Sequence, residues 1–265
     1  MKVLMLNTYD LRGGAARATW RLFRGLKGLA TDVSMLVQEK RSDDPDIHEI
    51  KYPGSGFLNP LRPYVDFAIP LIQTRKRILF STALIPDNLH KSIRPFYPDI
   101  LHFNWITGGF VRIETIGRLK QPVVWTLHDM WPFTGGCHTS GTCERFTRAC
   151  GECPVLHSGK MNDLSHRVLK RKIKSWQGKD NFVLTAPSNW LAREIGKSAV
   201  FQGKKVNVVP NGLDTSIFRP VDKKLARSRL PVSPHKRIIA FGAIRAGETP
   251  GKGLAHLVQA LKILS

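Results

Sequence analysis

The sequence predicts an α/β protein, with a Rossmann-like, doubly wound parallel sheet followed by the first strand and helix of a truncated second Rossmann-like domain. Three observations predict it. Short apolar runs recur along the chain, as strands buried on both faces of a parallel sheet require. Segments with helical spacing alternate with them. The runs end in small or polar residues, at the strand ends where ligands bind in such sheets.

The elements follow in order. "KVLMLN" (2–7) is the first strand, and "TYDLRGGAAR" turns the chain through Gly13 and Gly14. A helix over 14–29 follows. It sets Ala15, Ala18, Thr19, Leu22, Leu26 and Leu29 on one face and Arg17, Arg21, Arg24 and Lys27 on the other. "DVSMLVQ" (32–38) completes a β-α-β unit. "PDILHFNW" (98–105), "PVVWTLHD" (122–129), "NFVLTAPS" (181–188) and "KVNVVPNG" (205–212) read as further strands. Helices are expected over 110–119, 165–177 (basic) and 189–196. Gly13, Gly14, Asn104, His128, Asp129, Ser188 and Asn211 all stand at strand ends, so a cleft is expected along that rim. His102 lies within a strand and reads as structural.

Residues 53–97 break the rhythm with six prolines. The piece "FAIPLIQTRKRILF" (67–80) has the composition of a membrane-surface helix. Pro63 and Pro70 interrupt its face, which favours a helical excursion packed on the domain. The tail holds a polar linker, a strand "RIIAFGAI" (237–244), a loop with Gly247, Gly251 and Gly253, and a helix over 254–264. One strand and one helix bury no core of their own. Residues 1–216 are therefore expected as one domain. Residues 217–265 are expected as a linker and the start of a second, incomplete domain.

The 265 residues are 42% hydrophobic and 23% charged, as in soluble globular proteins. No apolar run approaches the ~18 residues of a membrane span. "MKVLMLNTYD" lacks a signal-peptide pattern, so a cytoplasmic location is expected, with the inner membrane face as a peripheral docking surface. The net charge of +21 suits nucleic acid, an anionic membrane face or phosphorylated small molecules. Local basic clusters are "RKR" (75–77) and "KRKIK" (170–174).

All four cysteines, Cys137, Cys143, Cys150 and Cys153, fall within seventeen positions, spaced C-x5-C-x6-C-x2-C. Four thiolates at short spacing suit tetrahedral structural zinc, with disulfides, free thiols or an iron–sulfur cluster as alternatives. His138 and His157 are substitute ligands. Residues 130–158 carry little regular hydrophobic pattern, so this insertion needs a cross-link to be ordered. The sulfurs are expected to stiffen the wall of the site rather than to react.

Together "GGAAR", "PDILHFNW", "WTLHD", "APSNWLA", "VVPNGLDTSIFRP" and "FGAIRAGETPGKG" resemble the family 4 glycosyltransferases, enzymes of two facing Rossmann-like domains (the GT-B fold). The resemblance implies Gly13 and Gly14 beside a donor diphosphate, and His128 as the catalytic residue facing the transferred sugar. It implies Lys252 on the donor phosphates. The family's usual arginine falls at Ala243 here, leaving Arg245 as its stand-in. The family's acidic Glu-x7-Glu region would lie beyond residue 265, so the chain is expected to be inactive alone. The implied reaction is retaining transfer from a nucleotide-sugar donor to a saccharide or lipid-linked saccharide acceptor in polysaccharide biosynthesis, without a catalytic metal. The rival readings are a zinc-knuckle nucleic-acid-binding protein and a non-catalytic transferase-like scaffold. No dense basic-aromatic motif surrounds the cysteines, so nucleic acid is not an expected partner.

Overall fold

The computed structural model describes residues 1–52, 59–74, 78–233, 236–243 and 250–264. The "RKR" cluster and Arg245 lie outside the described residues. The chain divides into two units, Met1–Asp214 and Thr215–Ser265.

The first unit is built on seven strands: β1 (Lys2–Tyr9), β2 (Asp32–Glu39), β3 (Ile47–Glu49), β4 (Ile100–Phe103), β5 (Val123–Thr126), β6 (Phe182–Ala186) and β7 (Val206–Val208). They form one sheet in the order β3-β2-β1-β4-β5-β6-β7, and every pairing is parallel. All carboxyl ends therefore lie on one edge. Between the strands run α1 (Gly14–Gly28), α2 (Arg62–Ala68), α3 (Leu89–Ile93), α4 (Ile113–Arg118), α5 (Leu164–Trp176) and α6 (Asn189–Lys197).

Alternation along β1 splits the core in two, since successive side chains leave opposite faces of a strand. Val3 and Met5 join Phe23, Val33, Met35 and Val37 on one face. Leu4 and Leu6 join the larger core on the other, centred on Trp125 and Trp176. Those two indoles meet edge to face at 5.2 Å, and Trp125 also meets the ring of Phe103 at 5.7 Å.

Four expectations need correction. The buried stripe of α1 is Ala16, Thr19 and Phe23, with Leu26 packed beside it. Leu22 and Leu29 face solvent, because Phe23, with Trp20 beside it, sets which side of the helix meets the sheet. In the basic run 170–174, Lys170 and Lys174 are exposed but Lys172 is not. Lys172 is fully buried and donates to the carbonyls of Trp131 and Thr134. Arg171 pairs with Glu114 through two bonds of 2.7 and 2.9 Å. Strand β3 lies beyond β2, where no apolar run marked it.

The fourth correction concerns the tail. Described residues 237–243 form no strand. A strand's N–H and C=O groups need a paired neighbour, and none pairs with them among the described residues. The second unit does hold α7 (Lys223–Ser228), capped by Asp222, and α8 (Leu254–Leu264).

The segment 59–74 is a helical excursion tied down by Asp66. That buried carboxylate accepts from the hydroxyls of Ser81 and Thr82 and from the backbone N–H groups of Thr82, Ala83 and Gly109. No helix among the described residues is long and apolar enough to cross a membrane.

Trp125 has no exposed surface. Trp125→Ala is expected to lower unfolding free energy by about 3–5 kcal/mol. Urea denaturation followed by circular dichroism checks this, and a loss below about 1 kcal/mol would contradict the packing described.

Candidate active site

The ends of β1, β4 and β5 are pinned to one another. The Asn7 side-chain oxygen accepts from Trp105 N at 2.7 Å, while its amide donates to Tyr9 O. Thr8 Oγ1 donates toward the Trp105 and Thr107 carbonyls, at 2.9 and 2.8 Å. These bonds fix the backbone that carries Asn104, Trp105 and the following turn.

Asn104 is buried, and its Oδ1 accepts from His128 Nε2 at 3.1 Å. Burial pushes His128 down to about 4, with Asp129 pulling weakly the other way. The ring is therefore neutral near pH 7, a hydrogen-bonding group rather than a cation. His102 is held in the strand layer by Thr126 Oγ1 at 2.9 Å, and burial pushes it too down to about 4.

Asp129 is a hub. Its Oδ1 accepts from Trp131 N at 2.9 Å, capping the next turn. Its Oδ2 accepts from Trp105 Nε1 at 2.7 Å and from His138 Nδ1 at 2.6 Å. Burial alone would raise this carboxyl. The neighbouring His138, then the bonds from His138, Trp131 and Trp105, hold it below the usual carboxylate range. His138 Nε2 is buried with no hydrogen-bond partner among the described residues. An unpaired buried polar atom costs about 1–3 kcal/mol, so it calls for a ligand or a strain account.

Aromatic rings line this edge. Tyr9 stacks on Trp105 at 5.9 Å, and Trp105 meets the His138 ring at 5.6 Å. Arg12 lies over Tyr9 at 5.1 Å.

Gly13 and Gly14 follow β1. Gly13 has φ +93°, a left-handed backbone that side chains resist. Among the described residues a Cβ at either glycine would meet nothing within 4 Å, so none of them fills the space before α1. This 15-residue helix has no side-chain cap and no acidic residue in its first turn. Its first N–H groups and dipole suit an anion.

The other expected residues are placed as follows. Ser188 caps α6, its hydroxyl accepting from Leu191 N at 3.3 Å. Asn211 is exposed in the segment after β7, on the same sheet edge. Lys252 ends a short 3-10 turn in the second unit and is exposed.

The four cysteines are free thiols. All four line one cavity of about 20 Å³ in the loop between β5 and α5. Burial pushes Cys137 up to about 11 and Cys150 up to about 12. Among the described residues no three His, Cys, Asp or Glu side chains stand in a metal-holding arrangement.

Residues 12–217 match the model of Glycosyltransferase Family 4. The chain belongs to that family. It is 30% identical over 82 residues to the colanic acid biosynthesis glycosyl transferase WcaC of Escherichia coli (strain K12), covering 27% of this chain and 20% of that protein. It is 24% identical over 158 residues to a D-inositol 3-phosphate glycosyltransferase of Nocardia farcinica (strain IFM 10152), covering 59% and 30%. The matches thus span well under half the length of these relatives. A sucrose-phosphate synthase from Thermosynechococcus elongatus superposes with a TM-score of 0.46 at 13% identity, covering 87% of this chain and 53% of that one.

Trp105 and His138 were not among the expected site residues. Trp105 directly follows Asn104 in "HFNW", which was the available signal. His138 stood out only as a substitute metal ligand, because its partner Asp129 lies nine residues back.

The two buried histidines set a pH dependence. Their folded pKa values, about 4, lie below the ordinary 6.5. The unfolded chain therefore binds more protons between these limits, and stability is lost as pH falls from about 6.5 toward 4. His128→Gln is expected to flatten that loss in urea titrations at stepped pH. An unchanged slope would contradict the burial account.

Proposed function

We propose that the chain is the acceptor-binding part of a retaining glycosyltransferase. The enzyme would transfer a sugar from a nucleotide-sugar donor to a saccharide or lipid-linked saccharide in polysaccharide biosynthesis. The observation that carries this reading is the shared rim: an open helix N-terminus at Gly13-Gly14 stands on the same sheet edge as the Asn104–His128 pair and the Asp129–His138 wall. Family membership supports it, as does a relative named for colanic acid biosynthesis.

In this reading the backbone N–H groups beyond Gly13 receive the donor diphosphate, offsetting charge that grows on the leaving group. His128, neutral and held by Asn104, orients a hydroxyl of the transferred sugar. The unpartnered His138 Nε2 and the faces of Tyr9 and Trp105 receive the acceptor, whose C–H faces pack on aromatic rings. Asp129 positions His138 and Trp105 rather than reacting. Lys252 and Arg245 are assigned to the donor phosphates on family resemblance, as are Ser188 and Asn211 to substrate contact.

The test is a screen of nucleoside-diphospho-sugars against saccharide and lipid-linked acceptors, using the polypeptide encoded by the whole reading frame around these codons. A product heavier by one sugar, with the donor's anomeric configuration kept, is expected. His128→Ala should lower kcat tenfold or more, about 1.4 kcal/mol per factor of ten. No transfer with any pair, or full activity of His128→Ala, would overturn the reading.

Exposed apolar side chains on 61–72, among them Tyr64, Val65 and Ile72, support docking on an anionic membrane face, as does the net charge of +21. Sedimentation with anionic vesicles but not with neutral ones is expected. Equal, negligible binding to both removes the membrane from the proposal.

A further inference from the structure

We propose that Cys137, Cys143, Cys150 and Cys153 bind one zinc ion that cross-links the loop between β5 and α5. The proposal is independent of the sugar-transfer reading. Three observations carry it.

First, the cysteines are spread over seventeen positions of the loop, yet all four line one cavity of about 20 Å³. That is about the room one water-sized sphere needs. Second, the Cys150–Gly151–Glu152 turn is left-handed at three consecutive residues, with φ of +48°, +108° and +41°. Two of these carry side chains, and such backbone costs on the order of 1–3 kcal/mol per residue, persisting where its surroundings require it. A Cβ on Gly151 would lie 2.2 Å from Met161 O, so the turn is also closely packed. The turn leads from one member of the C-x2-C pair to the other.

Third, the loop carries little regular secondary structure. Between Thr134 and Asp163 the described structure contains a single 3-10 turn, Arg145–Thr147, and one isolated bridge, Phe80 to Cys137. A cross-link there supplies what a strand ladder or long helix supplies elsewhere.

The sulfurs do not yet stand in a metal-holding arrangement, so binding requires them to turn inward. Four soft sulfur ligands with no open position suit a closed, tetrahedral structural site. On binding, four S–H bonds break, four Zn–S bonds form and four protons pass to solvent. No electron is transferred. The resulting centre carries a charge of about −2. Lys172, which donates to Thr134 O at 3.0 Å, stands close to Cys137 and Cys150. Because His138 follows Cys137 directly, the ion also holds the imidazole that Asp129 orients.

The experiment uses the full 265-residue chain, purified under reducing conditions without a metal-affinity step. Elemental analysis is expected to find about one zinc per chain. The thiols should resist a thiol reagent until a chelator is added, and then all four should react. Cobalt exchanged into the site should give the visible absorption of tetrahedral cobalt–thiolate. Cys153→Ser should drop the zinc content to background. Should that variant misfold, the cobalt spectrum of the unaltered chain decides. Zinc far below one per chain with four freely reactive thiols overturns the proposal. So does a mass lower by four hydrogens, which marks two disulfides, or iron accompanied by acid-labile sulfide.

Discussion

The rim of this sheet depends on a single carboxylate. Asp129 leaves water with a charge that burial alone would make costly, and three donors make that tolerable. The donors come from different places: the indole of Trp105 beyond β4, the imidazole of His138 in the cysteine loop, and the backbone of Trp131 one turn away. Each bond orients one group of the wall. Without the carboxylate, Trp105 and His138 would keep only their ring contact, and the Asn104–His128 bond would remain to join the ends of β4 and β5.

That carboxylate works only on a stiff platform. All seven strands are parallel, so one edge collects every carboxyl end. Alternation along β1 buries both faces of the sheet, leaving the edges as the places where polar groups meet water. The loop after β5 belongs to this platform. Trp131, Phe133 and Phe146 sit in the main core, and buried Lys172 of α5 donates to the loop's carbonyls from beneath. A loop held below by aromatic packing and above by a metal would present His138 as rigidly as a strand does.

Much of this was legible from residue patterns. Six of the seven strands announced themselves as apolar runs, as inner strands of a parallel sheet do; the edge strand β7 did so although Asn207 and Val208 are exposed. β3 did not. Ile47–Glu49 is three residues long and edges the sheet, so "IHE" needs only one apolar side chain. The helix α1 was found, but its inward face was misassigned. Several apolar residues compete around that helix, and packing against Val33 and Met35 selects Phe23. The basic run on α5 misled for a related reason: Lys172 is charged by composition but buried by position, its ammonium met by carbonyls no local pattern reveals.

The sequence by itself determined the order of strands and helices, the strand ends that carry Gly13, Asn104 and His128, and the cysteine spacing. These are local properties, set by which side chains avoid water and which backbones turn. Only the tertiary structure decided which polar groups meet: His138 with Asp129, Asn104 with His128, and four thiols around one cavity. The physical reason is that such pairings depend on strand register and on the packing of segments far apart in the chain, which no short window of residues contains.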